Sequence, residues 1–463
     1  MSATTYDAII IGAGPAGLAA ATHLASLGAD TLLLDEQPAP GGQIYRGIET
    51  SSPMMQRILG PDYVRGAGLA AAFRASGARY QPETAIWQVT PEGEVWTKYQ
   101  GCVGLLRAKY VIIATGALER PVPVPGWTLP GVMTAGAVQI LLKTATILPE
   151  RLVLAGSGPL LYLIAAQCIA AGAPPEAIID TTRRANELAA LRYLPALLHA
   201  PARQMLRKGL ALKAEIRRAN VPVFRHAQSL RIEGETGAQA ISFIADGRRH
   251  RLETNLIALH EGVIPHQQMT RATGCAHEWN QIQHCFQPVL DQWGQTSIDP
   301  IFVAGDSGSI GGAMVAETSG QIAALAVLCH LGRISATERD KRAAPYFSAW
   351  RQQLALRPFL DTLYAPRPEI TTPPDEVMVC RCEEITAGMI RDAARQGAQG
   401  PNQVKSFLRA GMGPCQGRVC GPVVTAILSD TLGQSPETIG YYRVRPPLKP
   451  ITIGELAAME EQN

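Results

Sequence analysis

Residues 6–17 read YDAIIIGAGPAG, followed by an alanine- and leucine-rich run to Leu27 and a second apolar run, Thr31 to Leu34, that closes on Asp35-Glu36. The run Tyr6 to Ile11 is too short for a helix and rich in β-branched isoleucine, so the order predicts strand, glycine turn, helix, strand and terminal acid. Gly12 permits the tight turn, Gly14 lets the backbone approach a pyrophosphate, and Gly17 lets the helix lie close on the strand. Pro15 and Ala16 stand at the helix start, where backbone N–H groups and the helix dipole face phosphate. Asp35 lies 23 positions after Gly12, where an acid accepts hydrogen bonds from an adenosine ribose, and Glu36 stands beside it. These residues alone leave the nucleotide open between FAD and NAD.

At 463 residues and ~150 residues per domain, the chain has room for about three domains. Lys and Arg number 42 against 39 Asp and Glu, which leaves no electrostatic footprint for nucleic acid. With 46% hydrophobic and 17% charged residues, the composition excludes disorder and fits a globular α/β enzyme. No run of 18 apolar residues is present, and an acidic residue replaces the basic start of a leader, so a cytoplasmic chain without an integral span is expected. Nine cysteines in that compartment read as thiols or ligands. Cys102, Cys168, Cys275, Cys285 and Cys329 stand alone and are expected to be inert and buried.

Three more segments bear on the nucleotide: Pro40-Gly41-Gly42-Gln43, then Ala114-Thr115-Gly116-Ala117 after the apolar run Tyr110 to Ile113, and Ala304-Gly305-Asp306 after Ile301 to Val303. With the first motif they resemble the flavoproteins with two dinucleotide-binding domains, such as thioredoxin reductase and the pyridine nucleotide-disulphide oxidoreductases. The resemblance implies FAD flanked by Gly42, Gln43, Thr115 and Gly116, with Gly305 and Asp306 at the ribityl chain. It also implies that Gly311 and Gly312 open a helix aimed at the flavin ring. Because no Cys-x2-Cys or Cys-x4-Cys occurs before residue 415, disulphide chemistry is not expected, and electrons need another exit.

Leu152 to Ala155 begins a second such unit, with Gly156-Ser157-Gly158 and a leucine, Leu161, in the third glycine's place. A further run, Ala177 to Ile179, ends in Asp180, followed by Arg183 and Arg184. Asp180 suits a free ribose hydroxyl and the arginine pair a 2′-phosphate. The residues leave open an adenine nucleotide such as ATP or ADP, NAD(P)H exchange, or an empty fold.

Near the C-terminus, after a proline-rich stretch with Pro366, Pro368, Pro373 and Pro374, come Cys380-Arg381-Cys382 and Cys415-x4-Cys420, 32 residues apart. Helices are expected over Thr386 to Gln396 and Asn402 to Ala410. Four soft thiolates suit zinc or an iron-sulfur cluster. The spacing and the words CRCEEIT and VKSFLRAGMGPCQGRVCG resemble bacterioferritin-associated ferredoxin, which implies a [2Fe-2S] centre on Cys380, Cys382, Cys415 and Cys420. Nearby glycines would let the chain wrap closely around it.

Over nearly its whole length the chain resembles the alpha-type subunits of bacterial hetero-oligomeric amine dehydrogenases, a family that includes the opine oxidase A chain, the hydrogen cyanide synthase B chain and the alpha chain of D-hydroxyproline dehydrogenase. GGQIYRG (41–47), ATGALERPVPVPGWTLPGVMTAGAVQ (114–139) and LHEGVIPHQQMTRATGC (259–275) carry that resemblance. It implies substrate oxidation on a separate FAD-bearing beta subunit like D-amino-acid oxidase. It also allows a small ferredoxin-like gamma subunit, FMN at a subunit interface, and peripheral seating at the inner membrane. No catalytic acid-base residue is assigned here: the histidines are scattered, His260-Glu261 and His266 lie where the chain returns to the first domain, and His260 alone is set apart. The expected organisation is α/β: an FAD domain in halves 1–123 and 263–340, an inserted nucleotide fold at 124–262, a linker at 341–375, a helical [2Fe-2S] domain at 376–435 and a tail at 436–463. Two other readings stay open: a stand-alone NAD(P)H-dependent reductase feeding a ferredoxin or oxygenase, and a zinc-bearing assembly protein without activity.

Overall fold

The computed structural model describes residues 5–458; residues 1–4, where the leader reading begins, and the last five residues of the tail lie outside the described residues. The strand Thr5–Ile11 is buried from Tyr6 onward, as a strand covered on both faces must be. It runs parallel to Thr31–Leu34 on one side and to the long strand Cys102–Ile113 on the other. Ile301–Val303 adds in parallel to the end of that long strand, so residues far apart in sequence share one sheet edge. The other end of the long strand folds back antiparallel on Glu94–Tyr99, and this on Thr84–Val89.

The helix Pro15–Ser26 follows the glycine turn, and Ala313–His330 lies across it. Both are alanine-rich, which lets them approach closely. A Cβ on Gly17 would fall 1.8 Å from the Gly12 carbonyl oxygen, and one on Gly320 would fall 2.1 Å from that of Ala16. Leu18, Leu24, Ile10, Leu33 and Phe302 are fully buried in this layer, each contributing ~1.5–3 kcal/mol. Among the described residues Ala313–His330 is long and apolar enough to cross a bilayer, but 61% of it is buried.

The chain leaves this domain through Ala117–Glu119 and returns through Val263–Pro265, two strands paired antiparallel. Between them lies a second parallel sheet, ordered Val223–Phe224, Ala177–Asp180, Leu152–Ser157, Leu256–Glu261 and Val132–Thr134. A three-stranded antiparallel sheet, Gln228–Glu233 with Ala240–Ala245 and Arg248–Glu253, flanks it. The architecture is thus α/β with two dinucleotide folds, the second inserted in the first, followed by a small helical domain.

The stretch 341–375 differs from the linker reading. It belongs to the helices Ala336–Leu354, Arg357–Leu363 and Pro368–Thr371. Pro358 and Pro368 fall in first turns, where the missing N–H has no partner to lose. There proline starts a helix instead of ending one. The lone cysteines divide as well: Cys168, Cys275 and Cys285 are buried, whereas Cys329 is half-buried and Cys102, at a hairpin turn, is exposed.

In the C-terminal domain a short hairpin, Met378–Cys380 with Ile385–Thr386, precedes the helices Ala387–Arg395, Pro401–Leu408 and Gly421–Leu432. Trp127 of the inserted domain donates its indole N–H to the Met378 carbonyl at 2.7 Å, and the Arg381 guanidinium sits 5.4 Å from its ring centre. Replacing Trp127 with Phe removes that bond and should cost about 1 kcal/mol, lowering the apparent unfolding temperature by ~1–2 °C. An unchanged melt would show that this contact does not hold the small domain. The tail then straps the parts together. Tyr442 packs where a Cβ on Gly411 or Gly417 would lie, 2.7 and 2.6 Å from its ring. Farther on, Leu448 donates its N–H to the Trp87 carbonyl at 2.8 Å, and Lys449 pairs with Glu36 at 3.0 Å.

Candidate functional site

A cavity of about 1030 Å³ opens at the C-terminal ends of the first sheet's strands. Gly12, Gly14, Pro15, Ala16, Asp35, Glu36, Gly42, Gln43, Thr115, Gly116, Gly305 and Asp306 all line it. Gly17 does not line it; it lies behind, at the helix–strand contact. A Cβ on Gly42 would fall 2.7 Å from the Gly14 Cα, so a side chain there would push the two loops apart.

Asp35 accepts the Ala13 N–H on Oδ2 and the Gln37 N–H on Oδ1, which ties the glycine turn to the end of the second strand. Burial nevertheless raises its pKa above the usual carboxylate value. Asp306 accepts the Gly311 and Gly312 N–H groups, both at 2.9 Å, on Oδ1. This modifies the expectation for that helix start: two of its donors are spent on Asp306, and Oδ2 of the same carboxylate takes no protein hydrogen among the described residues.

Two cations were not singled out in the sequence. The Lys143 ammonium donates to the Gln43 and Ile44 carbonyls at 3.0 and 2.8 Å and to Gln139 Oε1 at 3.0 Å. Burial pulls its pKa down to about 7, although three acceptors for three N–H groups favour the charged form. Arg46 binds Gln37 and Gln43. Arg46 sits inside the quoted GGQIYRG segment, whereas Lys143 lies about 100 residues from the two carbonyls it binds.

Of the histidines at the return to the first domain, His266 is the one that reaches the cavity. Burial pushes its pKa down to about 3, so the ring is neutral. Its backbone N–H bonds the Gly116 carbonyl at 3.0 Å, and the Thr115 hydroxyl donates to its carbonyl at 3.3 Å. Buried with no partner are His266 Nε2, Gln268 Oε1 and Arg46 Nε, all on cavity-lining residues. Such orphaned polar groups around a glycine-cleared cavity fit a large polar cofactor of the FAD kind.

The cavity's far wall is the C-terminal domain, through Arg381, Cys415, Arg418 and Val419. Gln268 joins the two, donating to the Gln416 carbonyl at 2.6 Å. The four thiols meet as two pairs, Cys380 with Cys420 and Cys382 with Cys415. Four thiols brought together in one small domain form the donor set of an iron-sulfur centre. Cys380 is held down to about 6 by the Cys420 thiol, helped by the backbone N–H groups of Gly411, Glu383 and Cys382. A Cβ on Gly413 would fall 2.2 Å from that of Cys382, so glycine is required for the wrap.

The second fold has a different fate. Gly156 crosses the His260 carbonyl as Gly12 crosses that of Ala114, but the His260 ring lies 3.2 Å from where a Cβ on Gly158 would sit. His260 Nδ1 pairs with Glu119 Oε1 at 2.7 Å. Asp180 is buried and engaged by the Tyr162 hydroxyl and the Thr182 N–H. Glu261, at the end of its strand, accepts from Ser157 (2.9 Å), Thr181 (2.8 Å) and Arg367 Nε (2.8 Å). Arg367 comes from the supposed linker and is 2% exposed. Gly156, Gly158 and Asp180 do not line the large cavity.

Fold and site together define an oxidoreductase chain of the flavin and [2Fe-2S] type. A family model described as pyridine nucleotide-disulphide oxidoreductase matches residues 6–320, and one described as BFD-like [2Fe-2S] binding domain matches residues 378–430. The opine oxidase A chain of Rhizobium meliloti (strain 1021) is 47% identical over 98% of this chain and 99% of its own length. The hydrogen cyanide synthase chain HcnB of Pseudomonas protegens is 29% identical over 99% of both. Among solved structures, L-proline dehydrogenase from P. horikoshii shares the fold with a TM-score of 0.74 at 19% identity, over 98% of this chain and 79% of that one. The chain belongs to the pyridine nucleotide-disulphide oxidoreductase family, in the group of the opine oxidase A chains.

Proposed function

We propose that this chain is the electron-relay subunit of a hetero-oligomeric amine dehydrogenase. In this reading a secondary amine or amino acid, such as an opine, D-hydroxyproline or glycine, is oxidised on a partner beta subunit like D-amino-acid oxidase. The observation that carries it is the shared cavity: Cys415 and Arg418 stand in one wall, and the FAD-type glycine turns and Asp306 form the others. When bound, a flavin takes an electron pair as hydride and an iron-sulfur centre passes electrons singly, so their adjacency turns one two-electron event into two single steps.

The residues around that cavity support binding and orientation. Gly12, Gly14 and the start of Pro15–Ser26 would take the pyrophosphate, Asp35 and Glu36 the ribose, and Asp306 Oδ2 a ribityl hydroxyl. Lys143 and Arg46 hold the Gln43 turn, and Gln268 fixes the cluster loop to the flavin wall. Cys380, Cys382, Cys415 and Cys420 would hold the cluster. Among the histidines, neutral His266 borders the cavity.

The reductase alternative is weakened by the second fold. The His260 ring stands against Gly158 of the glycine turn, and Tyr162 engages Asp180. The isolated, cofactor-loaded chain should therefore show no amine dehydrogenase activity with opines until the beta subunit is added, and anaerobic NADH should leave its flavin absorbance unchanged. Turnover by the chain alone, or bleaching by NADH, would overturn this reading.

A further inference from the structure

One surface touches the redox site only at Lys208. After Asp180 the inserted domain makes a helical excursion: Arg184–Ala190, a 3₁₀ stretch Leu191–Leu198 and the helix Ala200–Arg218. Leucines stand in water along its whole length. Leu198 is 82% exposed, Leu188 70% and Leu210 60%, with Leu191, Leu194 and Leu206 also exposed. Scattered single leucines need no explanation, but six in one continuous excursion do.

The charge around them is one-sided. Between residues 183 and 218 stand nine Lys and Arg against two Glu, in a chain whose total excess is only +3. All nine cations are exposed. On the last helix Leu206 and Leu210 share a stripe with Lys213 and Arg217, at spacings of four, three and four residues. Long cationic stems beside exposed leucines let the apolar groups sink while the charges stay with headgroups.

We propose that residues 184–218 form a docking surface for an anionic lipid bilayer, lying in the headgroup layer with the leucines below it. Charge decides among the possible occupants. A second copy of the chain would set this cationic face against like charge, and the centre of a protein interface is ordinarily depleted of lysine. A surface of acidic lipid matches both the apolar and the basic components. Lys208, which pairs with Asp62 at the base of the excursion, also lines the flavin cavity. Seating this surface on a membrane would bring that rim of the cavity to the lipid. Lipid docking here is independent of the redox reading.

The test is co-sedimentation of the full, cofactor-loaded chain with vesicles of phosphatidylcholine alone or with roughly one-third phosphatidylglycerol. Binding is expected only with the anionic lipid and should fall as salt is raised. Leu198→Glu with Leu210→Glu should weaken partitioning at least about tenfold, and Arg207→Gln with Lys213→Gln by roughly the same or more. Visible and far-ultraviolet spectra would show that both variants are folded. The proposal is overturned if the chain stays in solution with anionic vesicles at low salt, if both variants bind as tightly as the parent, or if the assembled complex buries these leucines under a partner chain and does not bind lipid.

Discussion

Cys415→Ser should strip the iron-sulfur absorbance from the purified chain while its flavin spectrum survives. Cys415 is half of the Cys382–Cys415 pair and stands in the cavity wall. A hydroxyl is a poor ligand for iron in place of a thiolate, so one lost donor should open the cluster. The Asp306 and Gly42 side of the cavity is untouched by the change. With the single-electron carrier gone, reoxidation of reduced flavin by the complex should slow by about 100-fold or more. Iron content, the visible spectrum and stopped-flow reoxidation check the three parts. A Cys415→Ser chain that keeps its iron bands and turns over normally would remove the relay from the account.

The second large effect is on stability. Arg367→Met leaves Glu261, whose side chain is 0% exposed, with two hydroxyl donors but no countercharge. Breaking a buried ion pair from one side costs ~3–5 kcal/mol, visible as a lower midpoint in urea with a similar slope. The double change Glu261→Met with Arg367→Met should regain much of the loss, because apolar pairs of similar volume tolerate such sites. Equal destabilisation by the single and double variants would show that the unpaired Glu261 charge is not the source of the loss.

These two sites also mark what sequence could reveal. The glycine turn at 12–17, its strands and the terminal Asp35 are a contiguous local pattern, and their period and φ demands point to one structure. The four cysteines were legible for a similar reason, since ligand spacing is a property of the chain. Arg367 was hidden among prolines that suggest a linker; its burial depends on where Glu261 arrives, 106 positions away. Lys143 and His266 likewise bond carbonyls distant in sequence. Asp180 was visible, but its engagement by Tyr162 requires the helix Pro159–Ala170 to be packed first. Sequence thus showed that a second nucleotide fold exists, while only packing shows that Tyr162 engages Asp180.

The tail gives a final consequence. Tyr441 lies over the Arg271 guanidinium of the first domain at 4.3 Å, Tyr442 closes on the glycines of the cysteine loop, and Leu448 and Val444 enter the core beneath the first sheet. The redox module is therefore moored fore and aft instead of tethered as a swinging arm. In the relay proposed above, transfer between flavin and cluster would need no tumbling or docking event, and its pace would be set by distance and driving force.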